Sequence, residues 1–207
     1  MTNSPASREK ARLAALEFYG VLDSEPQAEF DVLAETAAAI CGTPLAIVSF
    51  HGEKTAWFKA SVGLDRLGVA RADNSLCNAA MRLGDVLVVE DACYDARFRD
   101  FEPVKGPPYY RFYAGCPILT KEGLALGTVV AIDYVPRTIG VQQVDGLRSV
   151  AKLAMTLLEK RQAFHESGAG IKHPRRGTAN KKNLDLLKSK ALNPMLSPFL
   201  QEIHAMR

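Results

Sequence analysis

The residues with the means to do chemistry are few and scattered. Cysteines stand at positions 41, 77, 93 and 116, and histidines at 51, 165, 173 and 204. No cysteine pair has CxxC spacing, and three of the four lie in apolar or helical contexts, which is the pattern of small core thiols rather than of disulfides or a zinc site. Cys77 is the candidate redox residue. It follows the helix cap Ser75 by two positions, where free backbone amides and the helix dipole stabilise a thiolate; the opposing reading is a packing residue in a short helix. His51 reads as part of a turn and the other histidines lie at or beyond the end of the last long helix, so no Ser/His/Asp or Cys/His site assembles. The G-x-S-x-G, P-loop and H-E-x-x-H patterns are all absent from the sequence. The expectation is a domain without catalysis of its own.

The elements that position these residues centre on 111–133, RFYAGCPILTKEGLALGTVVAID, which reads as two strands joined by a turn at Thr120 to Gly123. Phe112, Ala114, Cys116 and Ile118 alternate onto one face, and Arg111, Tyr113 and Gly115 onto the other. Leu124 to Ile132 is almost continuously apolar, as suits a central strand covered on both faces. Upstream, Ser7 is placed to cap a first helix ended by Gly20. Ser24 and Pro26 open a second helix, with Phe30, Leu33, Ala37 and Ile40 inward and Gly42 as its stop. Pro44 to Phe50 and Thr55 to Val62 form a hairpin in which Phe58, Ala60 and Val62 share one face and Trp57, Lys59 and Ser61 the other.

Gly63 to Asn74 reads as loop, Ser75 to Leu83 as a short capped helix, and Val86 to Glu90 as a strand. Asp91 to Tyr110 is a long irregular segment of the kind that is more often functional than idle. In a final helix over 141–164, Val144, Leu147, Ala151, Ala154 and Leu158 recur with heptad spacing, which serves either packing on the sheet or pairing with a second copy.

At 207 residues, with 47% apolar and 24% charged residues, the chain holds one ordinary domain and an appendage. The net charge is +3, and residues 165–207 alone carry eight Lys or Arg against three acids, so this basic segment reads as linker with short helical pieces rather than as a nucleic-acid surface. No apolar run approaches the roughly 18 residues of a membrane span, and the polar start lacks a signal core. A cytoplasmic protein with no membrane partner is expected.

The ordered set Arg8-Glu9-Lys10-Ala11-Arg12-Leu13, Tyr19 to Asp23, Phe30-Asp31, Trp57 to Ala60, Asp95 to Phe98, Arg111 to Gly115 and Leu126-Gly127-Thr128 resembles that of GAF domains, the small-molecule-sensing modules of bacterial signalling proteins. The resemblance implies an α+β fold with a central antiparallel sheet of about five strands, a domain over 8–164 behind a disordered start at 1–7, and a sensory or regulatory role. It places a ligand pocket between the sheet and Ser75 to Leu83 with Asp91 to Tyr110. Trp57, Phe58, Cys77, Phe98, Phe112, Tyr113 and Ala114 would be its walls, and Asp91, Arg97, Arg111 and Asp133 its polar contacts. The cofactor is left open. A separate kinase or cyclase is the implied partner, with a possible homodimer through 141–164.

Departures limit the specialised branches of the family. Many relatives read Ser-Phe-Cys-x-His where this chain has Ser75-Leu76-Cys77-Asn78-Ala79, and a cysteine common in the last central strand is Val130 here. The free methionine sulfoxide reductases of the family carry a thiol just before the strand that Phe112 begins. Here that approach is Gly106-Pro107-Pro108-Tyr109-Tyr110. A bilin-attaching Cys-His segment and the asparagine-lysine signature of cyclic-nucleotide binders are absent as well.

Overall fold

A helix capped by Ser4 opens the chain: α1 runs Pro5–Tyr19, with the Ser4 hydroxyl accepting from the Ser7 amide at 3.2 Å. Proline at the first helical position fits because its missing N–H is one that no helix uses there. The cap therefore lies three residues before the expected Ser7, and the start thought disordered is helical from Pro5. The structure, a computed structural model, describes residues 4–22, 24–64, 68–70 and 75–166. Two compact units divide the chain at Met1–Gly170 and Ile171–Arg207, and the second lies wholly outside the described residues. The readings of residues 171–207, including the short helices around Leu187 and Leu200, fall there.

The remaining elements are α2 Ala28–Cys41, β1 Leu45–His51, β2 Thr55–Val62, β3 Gly68–Ala70, α3 Leu76–Leu83, β4 Leu87–Val89, α4 Glu102–Lys105, β5 Phe112–Leu119, β6 Ala125–Asp133 and α5 Val141–Glu166. The strands form one antiparallel sheet in the order β3-β2-β1-β6-β5-β4. The expected antiparallel α+β sheet with flanking helices is present, and a sixth strand, β3, adds an edge within the segment read as loop. Ser24 does not cap α2, which starts at Ala28 after Gln27. The Ser24 hydroxyl instead donates to the Val21 carbonyl at 2.8 Å and accepts from Lys59 Nζ at 2.7 Å.

Two layers of apolar side chains sandwich the sheet. One joins α1, α2 and α5 to Ala46, Val48, Phe50, Ala60, Phe112, Ala114, Cys116, Ile118, Val129 and Ala131. The other joins α3, α4 and the loop through Phe98 to Leu45, Ile47, Tyr113, Val130 and Ile132. The heptad positions Leu147, Ala151, Ala154 and Leu158 are buried in the first layer, so this seam packs on the sheet. Being covered on both faces explains why β6 reads as an unbroken apolar run.

A bulge corrects the reading of β2. Val48 pairs with Ala60 but Ser49 pairs with Phe58, which leaves Lys59 extra. Phe58 therefore turns to the α3 side, with its side chain against that layer. Ala60 and Val62 pack on the α2 side, and Trp57, paired with Phe50, takes that side too.

Candidate functional site

The α3 face of the sheet is built by parity. In β1, Leu45, Ile47, Ser49 and His51 point there; in β6, Thr128, Val130 and Ile132; in β5, Tyr113 and Gly115. Four polar side chains, Ser49, His51, Thr128 and Tyr113, thus enter a largely apolar layer, and α3 adds Cys77. Ser49 Oγ and Thr128 Oγ1 share a hydrogen bond of 3.0 Å, and Ser49 Oγ lies 3.1 Å from His51 Nε2. Thr128 is fully buried and His51 nearly so. The Thr128 hydroxyl and the Tyr113 phenol both interact with the Cys77 thiol, which α3 lowers onto them.

Tyr113 is 1% exposed, and its hydroxyl makes no hydrogen bond of good geometry among the described residues. Its ring lies along its own strand over Gly115, so that a Cβ on Gly115 would stand 2.2 Å from the phenol oxygen. Glycine two residues on leaves the room that the folded-down ring occupies. Tyr110 and Tyr134 stack near the same place with centroids 6.0 Å apart.

The sequence-stated wall residues divide between the two faces. Phe58, Cys77, Phe98 and Tyr113 are brought together on the α3 side. Phe112 and Ala114 are not: they alternate with Tyr113 and are buried against the α2 and α5 side, and Trp57 is also on that side through its pairing with Phe50. These three are core or cover, not pocket wall.

The four polar candidates all serve local structure. Asp91 receives Arg111 through two hydrogen bonds of 2.7 and 2.5 Å and also caps the Cys93 amide. The Arg111 guanidinium holds the Asp91 carboxyl below its usual range. Arg97 pairs with Asp95 and stacks over Phe98 at 4.8 Å. Asp133, buried at the end of β6, accepts from the Tyr134 and Val135 amides and from Arg137, closing the chain's exit from the sheet.

Burial also reverses the expectation for Cys77. Desolvation pushes its thiol up, and the neighbouring Thr128 and Tyr113 hydroxyls offset this only in part. The same cause raises Cys41 to about 11 and Cys116 to about 12. The position after Ser75 favours a thiolate less than the apolar layer disfavours it. We predict that these three thiols react with a disulfide reagent at pH 8 at least about tenfold more slowly in the native than in the unfolded chain.

The sign for stability follows from the same shifts. The folded state holds these protons more tightly, so the stability that the buried thiols contribute is constant below about pH 9. It should fall as pH rises through about 9 to 12, and a flat melting temperature across that range would contradict the burial of these thiols.

Sequence reading missed Ser49, His51 and Thr128. Thr128 was visible as the lone hydroxyl in the run from Leu124 to Ile132, whereas His51, read as a turn residue, is the last residue of β1 and buried.

An antiparallel sheet with long helices on one side and a short helix over buried polar groups on the other defines an α+β domain. The chain belongs to the GAF domain family, whose model matches residues 25–158. It is 38% identical over 148 residues to a cyclic di-GMP phosphodiesterase of Pseudomonas aeruginosa, covering 71% of this chain and 25% of that protein's length. Among solved structures, the blue-light-absorbing PixJ GAF domain of Thermosynechococcus elongatus aligns with a TM-score of 0.57 at 13% identity, over 84% of this chain and all of that one. The GAF domain of an Acinetobacter phosphoenolpyruvate-protein phosphotransferase aligns at 0.53 and 14%, over 82% and 100%. A type II free methionine-R-sulfoxide reductase of Thermoplasma acidophilum aligns at 0.52 and 12%, over 74% and 96%. At such identities these structures establish the fold alone.

Proposed function

We propose that the chain is a non-catalytic sensory or regulatory domain that takes a small molecule between α3 and the sheet and passes its state through the terminal helices to a separate signalling protein. The observation that carries this reading is the group of polar side chains, Cys77, Tyr113, Thr128, Ser49 and His51, set into an otherwise apolar layer. A layer that served packing alone gains nothing from buried hydroxyls, whereas a ligand site needs a few polar groups on apolar walls. The raised Cys77 thiol supports binding over thiol chemistry. Similarity to a cyclic di-GMP phosphodiesterase supports an output enzyme of cyclic di-GMP turnover.

A homodimer through 141–164 would use the outward side of α5, where Leu153 and Phe164 are exposed, since the heptad seam is committed to the sheet. No described helix is long and apolar enough to cross a membrane.

Native mass spectrometry with an absorption spectrum of freshly purified protein tests the reading. The expected result is a small-molecule adduct that vanishes on denaturation and is weakened about tenfold by Tyr113→Phe, the loss of one buried hydrogen bond. A clean apo mass, with no thermal shift from an extract of cellular small molecules, would count against it.

A further inference from the structure

The buried string Thr128–Ser49–His51 does not end inside the sheet. The main-chain carbonyl of His51 accepts a hydrogen bond from Arg12 of α1, and Arg12 also reaches the Gly52 carbonyl at 3.5 Å and Glu9 on its own helix at 2.7 Å. Residue 51 is thus gripped twice, by Ser49 through its imidazole and by α1 through its carbonyl.

Among the described residues, few other contacts hold the first half of α1. Pro5 to Ala11 are exposed apart from the half-buried Glu9, and the helix's buried residues are Arg12 and Leu16. Arg8 adds one bond, to the Gly123 carbonyl at 2.8 Å in the β5–β6 turn. At its other end, α1 meets α5 where Arg161 donates to the Gly20 carbonyl at 3.0 Å. A helix whose outer turns bury so little apolar surface sits at the low end of local stability, and one polar anchor decides much of it.

We propose that Arg12 is the positioning residue through which the state of the α3-side site reaches α1: a shift at Thr128 or Ser49 moves His51, and His51 sets how firmly α1 is held. The proposal rests on the sensory reading for its purpose. It is a coupling between two places, carried by one contiguous set of contacts, and is open to direct measurement.

The experiment is hydrogen exchange by mass spectrometry on the full ligand-free chain. Arg12→Gln is expected to speed exchange across α1 by about tenfold, and Ser49→Ala and Thr128→Val each by about threefold, with α2 unchanged. The double variant Ser49→Ala/Arg12→Gln should exchange no faster in α1 than Arg12→Gln alone, because the string acts only through the anchor. Thr128→Ser, which keeps the hydroxyl, should restore wild-type protection. Wild-type α1 exchange in Ser49→Ala and Thr128→Val overturns the proposal, and so does additivity in the double variant. Should one of these two fail to fold, the other decides. No ligand enters this measurement, so its failure leaves ligand binding standing, and an apo result by mass spectrometry leaves the coupling standing.

Discussion

Replacing Gly127 by alanine is expected to remove most or all of the folded state. The position is in β6 at the centre of the sheet, paired with Phe50 of β1 on one side and Ile118 of β5 on the other. A Cβ there would stand 1.9 Å from the Ser49 carbonyl oxygen, 2.9 Å from its carbon and 3.0 Å from the Phe50 Cα. All three are backbone atoms of a central strand, so no side-chain rotation relieves the clash; β1 and β6 must separate. A loss of about 4 kcal/mol or more follows, by overpacking and broken ladder bonds together. Against a typical total of about 5–15 kcal/mol, such a loss consumes most of the protein's stability. Soluble yield and the urea midpoint measure it, and a variant melting within a few degrees of the wild type would refute the close approach.

The contrast with Gly115 sharpens the point. Its added Cβ would also clash, at 2.2 Å, but with the far end of the Tyr113 side chain. A phenol can swing aside, so that change disturbs the α3-side layer before it disturbs the sheet. The close approach at Gly127 is what brings the neighbouring Thr128 to within 3.0 Å of Ser49. The family's Leu-Gly-Thr motif at 126–128 thus has a physical sense here: the glycine closes two strands and the threonine uses the closeness.

How much of this was legible in the sequence depended on the range of the interaction. The helix ends at Gly20, Gly42 and Gly84 are local, each glycine sitting in the left-handed region where a side chain is strained. Alternation along β5 already separated Tyr113 from Phe112 and Ala114, although the family pattern had placed all three around one pocket. The bulge at Lys59 was not legible, because which residue is left over depends on how β2 registers against β1. Nor was the Ser49–Thr128 bond, whose partners are 79 positions apart and meet only after β1 and β6 pair. Local chemistry is written in neighbouring residues; the polar string exists only in the sheet.

The same bulge leads to the second large effect, at Lys59. This lysine is 2% exposed, and its ammonium donates to Ser24 Oγ at 2.7 Å and to the Glu25 carbonyl at 2.5 Å while lying 5.6 Å from the centre of the Phe30 ring. Without the extra residue, strict alternation would not set Lys59 and Ala60 on one side of the sheet, and the ammonium would not reach the segment joining α1 to α2. Burying a charge costs several kcal/mol unless hydrogen bonds and opposite charge compensate, and the contacts at Ser24 and Glu25 are among those that make the position tolerable. Lys59→Ala removes the donor, leaves the Glu25 carbonyl without it and opens a void, for an expected loss of about 3 kcal/mol. Lys59→Met fills the void without donating, and should recover about half of that loss because packing returns while the hydrogen bonds do not. Urea denaturation of the three proteins separates the two contributions. Equal stabilities for the alanine and methionine variants would mean that the void contributes nothing, and a methionine variant as stable as the wild type would mean that the ammonium's hydrogen bonds only repay its burial. Since Ser24 and Glu25 lie in the segment that joins α1 to α2, either loss should also loosen α1 at its C-terminal end, opposite the anchor that Arg12 provides.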